Sequence, residues 1–455
     1  MTRGATPELS EDAVASITDA GQLLQWQRVP AQLRDGVRPE EARACETLAS
    51  QWETNAAAAA QRRSAAPRVN LTYFLHVPRT AGRTTFWCAL KPAFPPSQRC
   101  SRSYDHLRLD PHQPTCNLLS THDDFSLVES FPGAATVATQ LRRPLDRVLS
   151  AYEFAVEVAG RHAFGGQRQR RRHVLDGQAS NNIDTRDVWP WSTMVNLMIA
   201  DMNARREARG GAPPQRAQPQ GGSGYDEPAA YMPLAEFVNH PDVAEVLHNG
   251  AAFQLMGLTN NTHEAEHAAA ASRLRACVSA SAIAAGHLSD GALRRLHDEV
   301  AVVTLTEQLD DSASMLAAAL GRPLSAPSFR TAADWDPVAK REHMAQGREA
   351  FDAAALDPSN PLGVVYRSCA EKQYNVFSTR KRNDRARVAF SDGQGVLFDR
   401  SKLPQELLDR IERLNSLDVA LYDAGEALFK KRRAAYQEQG VWETVSDVVA
   451  SRSAA

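Results

Sequence analysis

Apolar residues enter this chain in short bursts bounded by charged or turn-forming residues, and two bursts read as a strand running into a helix. In the first, Leu71 to Phe86 (LTYFLHVPRTAGRTTF), a β-type run breaks into a loop carrying Arg79, Gly82 and Arg83, and Thr84-Thr85 opens a helix. In the second, Thr136 to Glu153 (TVATQLRRPLDRVLSAYE), an apolar strand ends at Arg142. Pro144 then takes the first helical position, with Asp146 in the first turn. Asn117 to Thr121 reads as a strand with His122 at its end, and further strands are expected from Ala252 to Leu258 and from Ala301 to Leu305. Helical patterning dominates the rest of Met232 to Leu320. Leu407, Leu408, Ile411, Leu414, Leu417, Leu421 and Leu428 recur mostly three or four residues apart, an amphipathic helix that packs on the core. Strands alternating with helices imply an α/β fold, a central parallel β-sheet flanked by helices.

The pattern also divides the chain. Residues 1–66 are rich in Ala, Arg and Glu and look helical, with Trp26 and Trp52 as possible anchors. A core spans 67–324, interrupted at 208–230 by a Gly/Pro/Gln-rich insertion that belongs on the surface. Residues 325–399 form a second insertion, and 400–440 the amphipathic C-terminal segment. With 455 residues and 43% hydrophobic content the chain can bury a large core. Its 52 basic and 54 acidic side chains leave a formal charge of −2, so no global field favours nucleic acid. Arginines cluster locally from Arg161 to His173, as a solvated loop or as a basic rim that would steer acidic peptides. No apolar run of membrane-spanning length and no N-terminal signal pattern is visible, and no Cys or His spacing suggests a metal. Asn70-Leu71-Thr72 and Asn260-Asn261-Thr262 match the glycosylation pattern by chance.

The loop after the first strand has the grammar of a phosphate cradle. N–H groups at a helix start, with its positive dipole end, favour an anion, and small residues let it approach the main chain. A kinase-type P-loop is excluded, since no Lys stands beside the threonines. At the second strand end, Arg142 and Ser150 suit a terminal phosphate. Ligands of α/β sheets bind outside the carboxyl ends of strands, so two such ends can hold opposite ends of one nucleotide.

Together these segments resemble sulfotransferases that use 3′-phosphoadenosine 5′-phosphosulfate (PAPS). HVPRTAGRT, RSYDHLRLDPHQPTCNLLSTHDDFSL, YEFAVEVAGR, MPLAEFVNHP, HNGAAFQLMGLTNN, LTEQLDDSASML and LNSLDVALYDAGEALF follow the order found in plant-type tyrosylprotein sulfotransferases, which are built on a heparan-sulfate 6-O-sulfotransferase-like domain. The resemblance covers about Leu71 to Phe429. It implies a P-loop NTPase-like sulfotransferase fold and PAPS bound by Arg79, Thr80, Ala81, Gly82, Arg83, Thr84, Thr85, Arg142 and Ser150. It also implies a Golgi-lumenal setting, acidic tyrosine-containing peptides or secreted proteins as acceptors, and a Cys100–Cys116 disulfide.

In-line sulfuryl transfer is mainly positioning and electrostatics, as for phosphoryl transfer. Arg79 can grip two oxygens while charged at any working pH, stabilising both the transferring group and the leaving phosphate. The 6-O enzymes carry Lys here, so Arg79 points to electrostatic stabilisation ahead of acid catalysis. Ala81 replaces a glycine of the family loop, which demands negative φ there. The resemblance makes His122 the general base for a phenol whose pKa, about 10, lies well below that of a sugar alcohol. Asp123 could orient its imidazole, and Asp124 is a weaker alternative base. His76 is expected to be structural. Glu307 either binds substrate or caps the helix that follows it, and His248 and Asn249 are placed near the acceptor by resemblance alone. Two competing readings keep the donor site: a glycan O-sulfotransferase of the 6-O type, and a non-catalytic nucleotide-binding module.

Overall fold

In the parallel sheet the strands lie in the order β2-β1-β3-β4, with β1 Arg68–Leu75, β2 Leu118–Thr121, β3 Ala134–Leu141 and β4 Val300–Leu305. The computed structural model describes residues 37–100, 111–112, 114–164, 188–208, 210, 231–262, 265–329, 359–387 and 403–454. Trp26, most of the Arg161–His173 run and most of the 208–230 insertion lie outside the described residues. Central parallel strands are covered on both faces, and the carboxyl halves of β1 and β3 are accordingly buried on both sides of the pleat.

Register sets the position of the chemistry. Leu75 pairs with Thr121 on one side and Thr139 on the other, and Leu141 pairs with Leu305. His76 and His122 therefore leave the sheet side by side, while Arg142 and Thr306 leave together one strand further on. Thr306 Oγ1 donates to the carbonyls of Thr80 (2.7 Å) and Leu141 (3.1 Å), locking the loop after β1 to the end of β3.

Helices cover the sheet in chain order. They are α1 (Pro39–Ser64), α2 (Gly82–Thr84, widening into a π-turn at Thr85–Leu90 and ending with Lys91–Ala93), α3 (Ser126–Glu129), α4 (Pro144–Phe164), α5 (Trp191–Ala208), α6 (Leu234–Asn239) and α7 (Pro241–Leu247). After them come α8 (Gly250–Met256), α9 (Ala265–Ala280), α10 (Ala282–Asp298), α11 (Leu309–Ala319), α12 (Leu362–Arg387), α13 (Gln405–Leu414), α14 (Ser416–Glu438) and α15 (Val445–Ala454). Pro144 opens α4 as its residue type implies.

Two expectations need correction. The strand expected at Ala252–Leu258 is the helix α8, whose seven residues are all buried. A short apolar run buried all round carries neither period, so pattern cannot separate strand from helix. Gly257, left-handed at φ 73°, ends it. The single amphipathic helix near the C-terminus is two helices broken at Asn415, whose Nδ2 donates back to the carbonyl of Ile411 (2.8 Å).

All six cysteines are paired, as Cys45–Cys277, Cys88–Cys369 and Cys100–Cys116. The third was expected; the other two join segments more than two hundred residues apart. Cys45–Cys277 fixes α1 to α9, and Trp52 of α1 packs against Gly291 of α10, where a Cβ would lie 2.4 Å from the indole. Cys88–Cys369 ties α12 to α2, and one turn further along α12 Gln373 Oε1 accepts from Thr84 Oγ1 (3.1 Å).

Behind α4 lies a buried ion pair. Arg147 donates to Asp418 Oδ2 (2.8 Å) and to the carbonyl of Val246 (2.9 Å), while Asp418 accepts from Ala252 N (2.7 Å) and Ala251 N (3.2 Å) at the start of α8. Its carboxylate thus faces both a guanidinium and a helix N-terminus. Asp418→Ala should lower the unfolding free energy by about 3–5 kcal/mol, because it strands a buried charge; urea titration of the variant against the native chain measures this.

Candidate active site

His122 stands where β2 ends, buried at 4% exposure. Its Nδ1 lies 3.0 Å from the His76 carbonyl, which can only accept, so Nδ1 carries the proton and Nε2 holds the lone pair of the neutral ring. The two imidazoles stack with centroids 4.2 Å apart. Gln254 of α8 fastens this pair from beneath. Its Nε2 lies 3.0 Å from the His122 carbonyl, 3.2 Å from that of His76 and 3.3 Å from that of Asp123. Burial holds the His122 pKa down at about 4, only partly offset by the bond to the His76 carbonyl and by nearby Asp123, and Arg83 presses it the same way as burial. His76 is also pushed far down, by burial first and then by His122, Arg83 and Arg79.

The loop after β1 carries Arg79 across from the histidines. Both Arg79 (φ 69°) and Ala81 (φ 59°) are left-handed, a conformation that costs a non-glycine residue roughly 1–2 kcal/mol. Such strain collects at functional loops. Ala81 therefore does not meet the expected negative φ; it stands as the N-cap of α2, its carbonyl accepting from the N–H groups of Thr84 (2.9 Å) and Thr85 (3.2 Å). The Arg79 guanidinium donates to Ser150 Oγ from Nη2 (2.9 Å) and Nε (3.1 Å) and lies 4.5 Å from the centroid of Phe154, one turn along α4. Arg142 Nη1 donates to the Arg79 carbonyl (3.1 Å), and burial lowers its pKa. Arg79, Arg142 and Ser150, drawn from two strand ends, form one cluster. Gly82 opens α2 against the His76 ring, where a Cβ would lie 2.0 Å away.

Over 414 residues, 85% of this chain and 80% of the relative, it is 34% identical to a protein-tyrosine sulfotransferase of Arabidopsis thaliana. The chain belongs to the protein-tyrosine sulfotransferase family. No family model matches it, and no solved structure does.

Within this family member several expected roles shift. Asp123 does not orient the His122 ring; the His76 carbonyl does, while Asp123 Oδ1 lies 3.4 Å from Asn261 Nδ2. Asp124 is fully buried and accepts four bonds from Ser126 and Thr259, which leaves it no part as a base. Thr80 is buried and bonded to the Val77 carbonyl (2.8 Å), and the Thr85 hydroxyl is turned onto Gln140 of β3. Gly82, Arg83 and Thr84 form the first turn of α2. Glu307 does not cap the helix that follows it: Oε1 accepts from Arg143 N (2.9 Å) at the start of α4 and Oε2 from Tyr422 OH (3.0 Å). Asn249 Oδ1 accepts from Leu417 N (2.8 Å), and His248 Nε2 donates to the Val238 carbonyl (2.8 Å), so both serve packing. Trp191, Phe154 and Gln254 were missed. Phe154 lies one helical turn from Ser150 and was legible there, Gln254 was hidden by the strand reading of its segment, and Trp191 carries no local signal.

The two depressed histidines give stability a sign. In the unfolded chain both bind protons near pH 6.5, while His122 in the fold does so only near pH 4, so the unfolded state holds more protons between these values. Stability should therefore fall as pH drops from 6.5 towards 4. His122→Gln should show a shallower fall than the native chain when unfolding midpoints are compared at pH 7 and pH 5.

Proposed function

We propose that this chain transfers a sulfuryl group from PAPS to tyrosine hydroxyls of acidic secreted peptides or proteins, with His122 as general base and Arg79 as electrostatic stabiliser. The observation that carries this reading is the placing of a neutral imidazole, held in one tautomer by the His76 carbonyl, and a guanidinium anchored by Ser150 at the same end of the sheet, with the Trp191 ring beside both. The residues present suit the donor. Arg79 and the start of α2 would hold the 5′-phosphosulfate, with Gly82 admitting the loop where a side chain would not fit. Arg142 and Ser150 would hold the 3′-phosphate. When bound, the donor supplies an activated sulfur joined to a good phosphate leaving group.

The rest is done by the chain. As the phenolic oxygen bonds to sulfur and the sulfur–phosphate oxygen bond breaks, His122 Nε2 takes the phenolic proton and Arg79 faces the charge passing to the leaving phosphate. A free-enzyme pKa of about 4 keeps the base unprotonated in a mildly acidic compartment. An anionic donor beside Arg79 and Arg83 opposes the charges that depress it, raising the pKa in the complex towards a value better suited to proton transfer. The acid limb of kcat/KM, which reports free enzyme, should lie below that of kcat, and coincident limbs in a pH profile would count against His122.

A lumenal setting fits the disulfides, which persist in oxidising compartments. Among the described residues no helix is long and apolar enough to cross a membrane. Acidic acceptors fit the arginine run from Arg161 to His173.

The test is transfer of labelled sulfate from PAPS to an acidic peptide with one tyrosine, a heparan-type glycan being offered in parallel. The peptide alone should be labelled, and the label should vanish on Tyr→Phe substitution in the peptide. His122→Ala should lose about 10²–10⁴-fold in kcat while keeping affinity for adenosine 3′,5′-bisphosphate. Arg142→Ala should weaken that affinity about tenfold or more, the worth of one charge-assisted bond. An unimpaired His122→Ala enzyme, or labelling of the glycan alone, would overturn the corresponding part of the proposal.

A further inference from the structure

We propose that the indole of Trp191 is the acceptor-specificity wall of this site, the surface against which an incoming phenol ring docks, so that the enzyme recognises its acceptor as an aromatic ring as well as a hydroxyl. The inference rests on the assignment of His122 and Arg79 above.

Trp191 begins α5 and touches both reacting sides. Its ring stands edge-on to His122, with centroids 5.7 Å apart at 88°, and the Arg79 guanidinium carbon lies 6.0 Å from its centroid. Phe154 extends the same wall, 4.7 Å from Trp191 and 4.5 Å from the Arg79 guanidinium carbon. A row of rings, His76, His122, Trp191 and Phe154, thus runs from the base to the cation. The transferring group has to sit between His122 and Arg79, so an acceptor side chain entering that gap passes along the indole.

Two physical consequences select the acceptor. The base is 96% buried, so a hydroxyl carried close to the peptide backbone, as in serine or threonine, falls short of Nε2, whereas a phenol reaches in on a rigid ring. Aromatic rings prefer edge or offset contact with one another, so a phenol gains along this wall what an aliphatic alcohol does not. A flat apolar wall also offers no hydrogen-bonding partners for the other hydroxyls of a sugar, and burying those unpaired is unfavourable.

The simpler role for Trp191 is a brace that holds Arg79 in place, and donor affinity separates the two. With the tyrosine peptide as acceptor, Trp191→Leu should raise the peptide KM about tenfold and leave the dissociation constant for adenosine 3′,5′-bisphosphate within about twofold, whereas Trp191→Phe should keep KM within about threefold of the native value. Loss of donor-product affinity in step with KM would assign Trp191 to bracing, and an unchanged KM in Trp191→Leu would remove it from the acceptor site. Either result overturns the inference. Because Trp191 is a buried core residue, 8% exposed, and its replacement can compromise folding, the native enzyme supplies a second measurement. As competitive inhibitors, the Tyr→Phe peptide should outdo the Tyr→Leu peptide about tenfold, and equal inhibition would refute a ring-selective wall. His122→Ala run alongside keeps the two ideas apart: an active His122→Ala enzyme defeats the site assignment, while an inactive one beside a normal Trp191→Leu defeats only the wall.

Discussion

Everything at the strand ends depends on how closely the turn after β1 approaches the ring of His76. Any side chain at position 82 would occupy the space of that ring, so the glycine lets α2 start directly over it. The ring in turn stacks on that of His122 at 30° between planes, and the main chain of His76 accepts a hydrogen bond from His122 Nδ1. One close approach therefore fixes the start of α2 and the tautomer of His122 together. The two left-handed residues, Arg79 and Ala81, are the conformational cost of bringing the chain round so tightly.

Arginine serves two purposes in this fold, and burial with partners tells them apart. Arg147 and Arg295 are enclosed and matched by carboxylates, Asp418 and Glu129, together with helix-end carbonyls, so their charge is spent on holding helices together. Arg275, with no carboxylate in hydrogen-bond contact, lies over Phe253, donates to the carbonyls of His248 and Leu258 and is pulled down to about 10 by burial. Arg79 and Arg142 work at the strand ends instead: Arg79 donates to the Ser150 hydroxyl and Arg142 to the Arg79 carbonyl, which ties the loop after β1 to the end of β3 and to α4.

Legibility followed locality. The strand-loop-helix at Leu71–Phe86 and the one at Thr136–Glu153 could be read because each carries its own start and stop residues, and the fold class came with them. His122 was found at a strand end because the short run Leu118-Leu119-Ser120-Thr121 leads straight into it. What orients His122 could not be read, since the nearest carboxylate in sequence, Asp123, is beaten by a carbonyl 46 residues upstream, and register alone brings that carbonyl alongside. The same reason hid Trp191, which meets His122 only through the packing of α5 on α4. Gln254 was lost to a periodicity that a fully buried helix does not have. The reach of the cysteines was invisible too, because spacing in sequence says nothing of partners that lie across the sheet.

The pairing of Cys88 with Cys369 has a consequence for biosynthesis. The chain emerges from the ribosome amino end first, so Cys45 and Cys88 are both exposed as thiols long before their partners exist, and Cys100 and Cys116 follow within a few dozen residues. The nearest available mates for the early thiols are wrong ones. The helix that carries Cys369 follows Cys88 by 281 residues, so α2 gains this tie only after that much more chain has been made. Reaching the native pairing from early mismatches then requires thiol–disulfide exchange, so maturation of this chain is coupled to that chemistry as well as to folding.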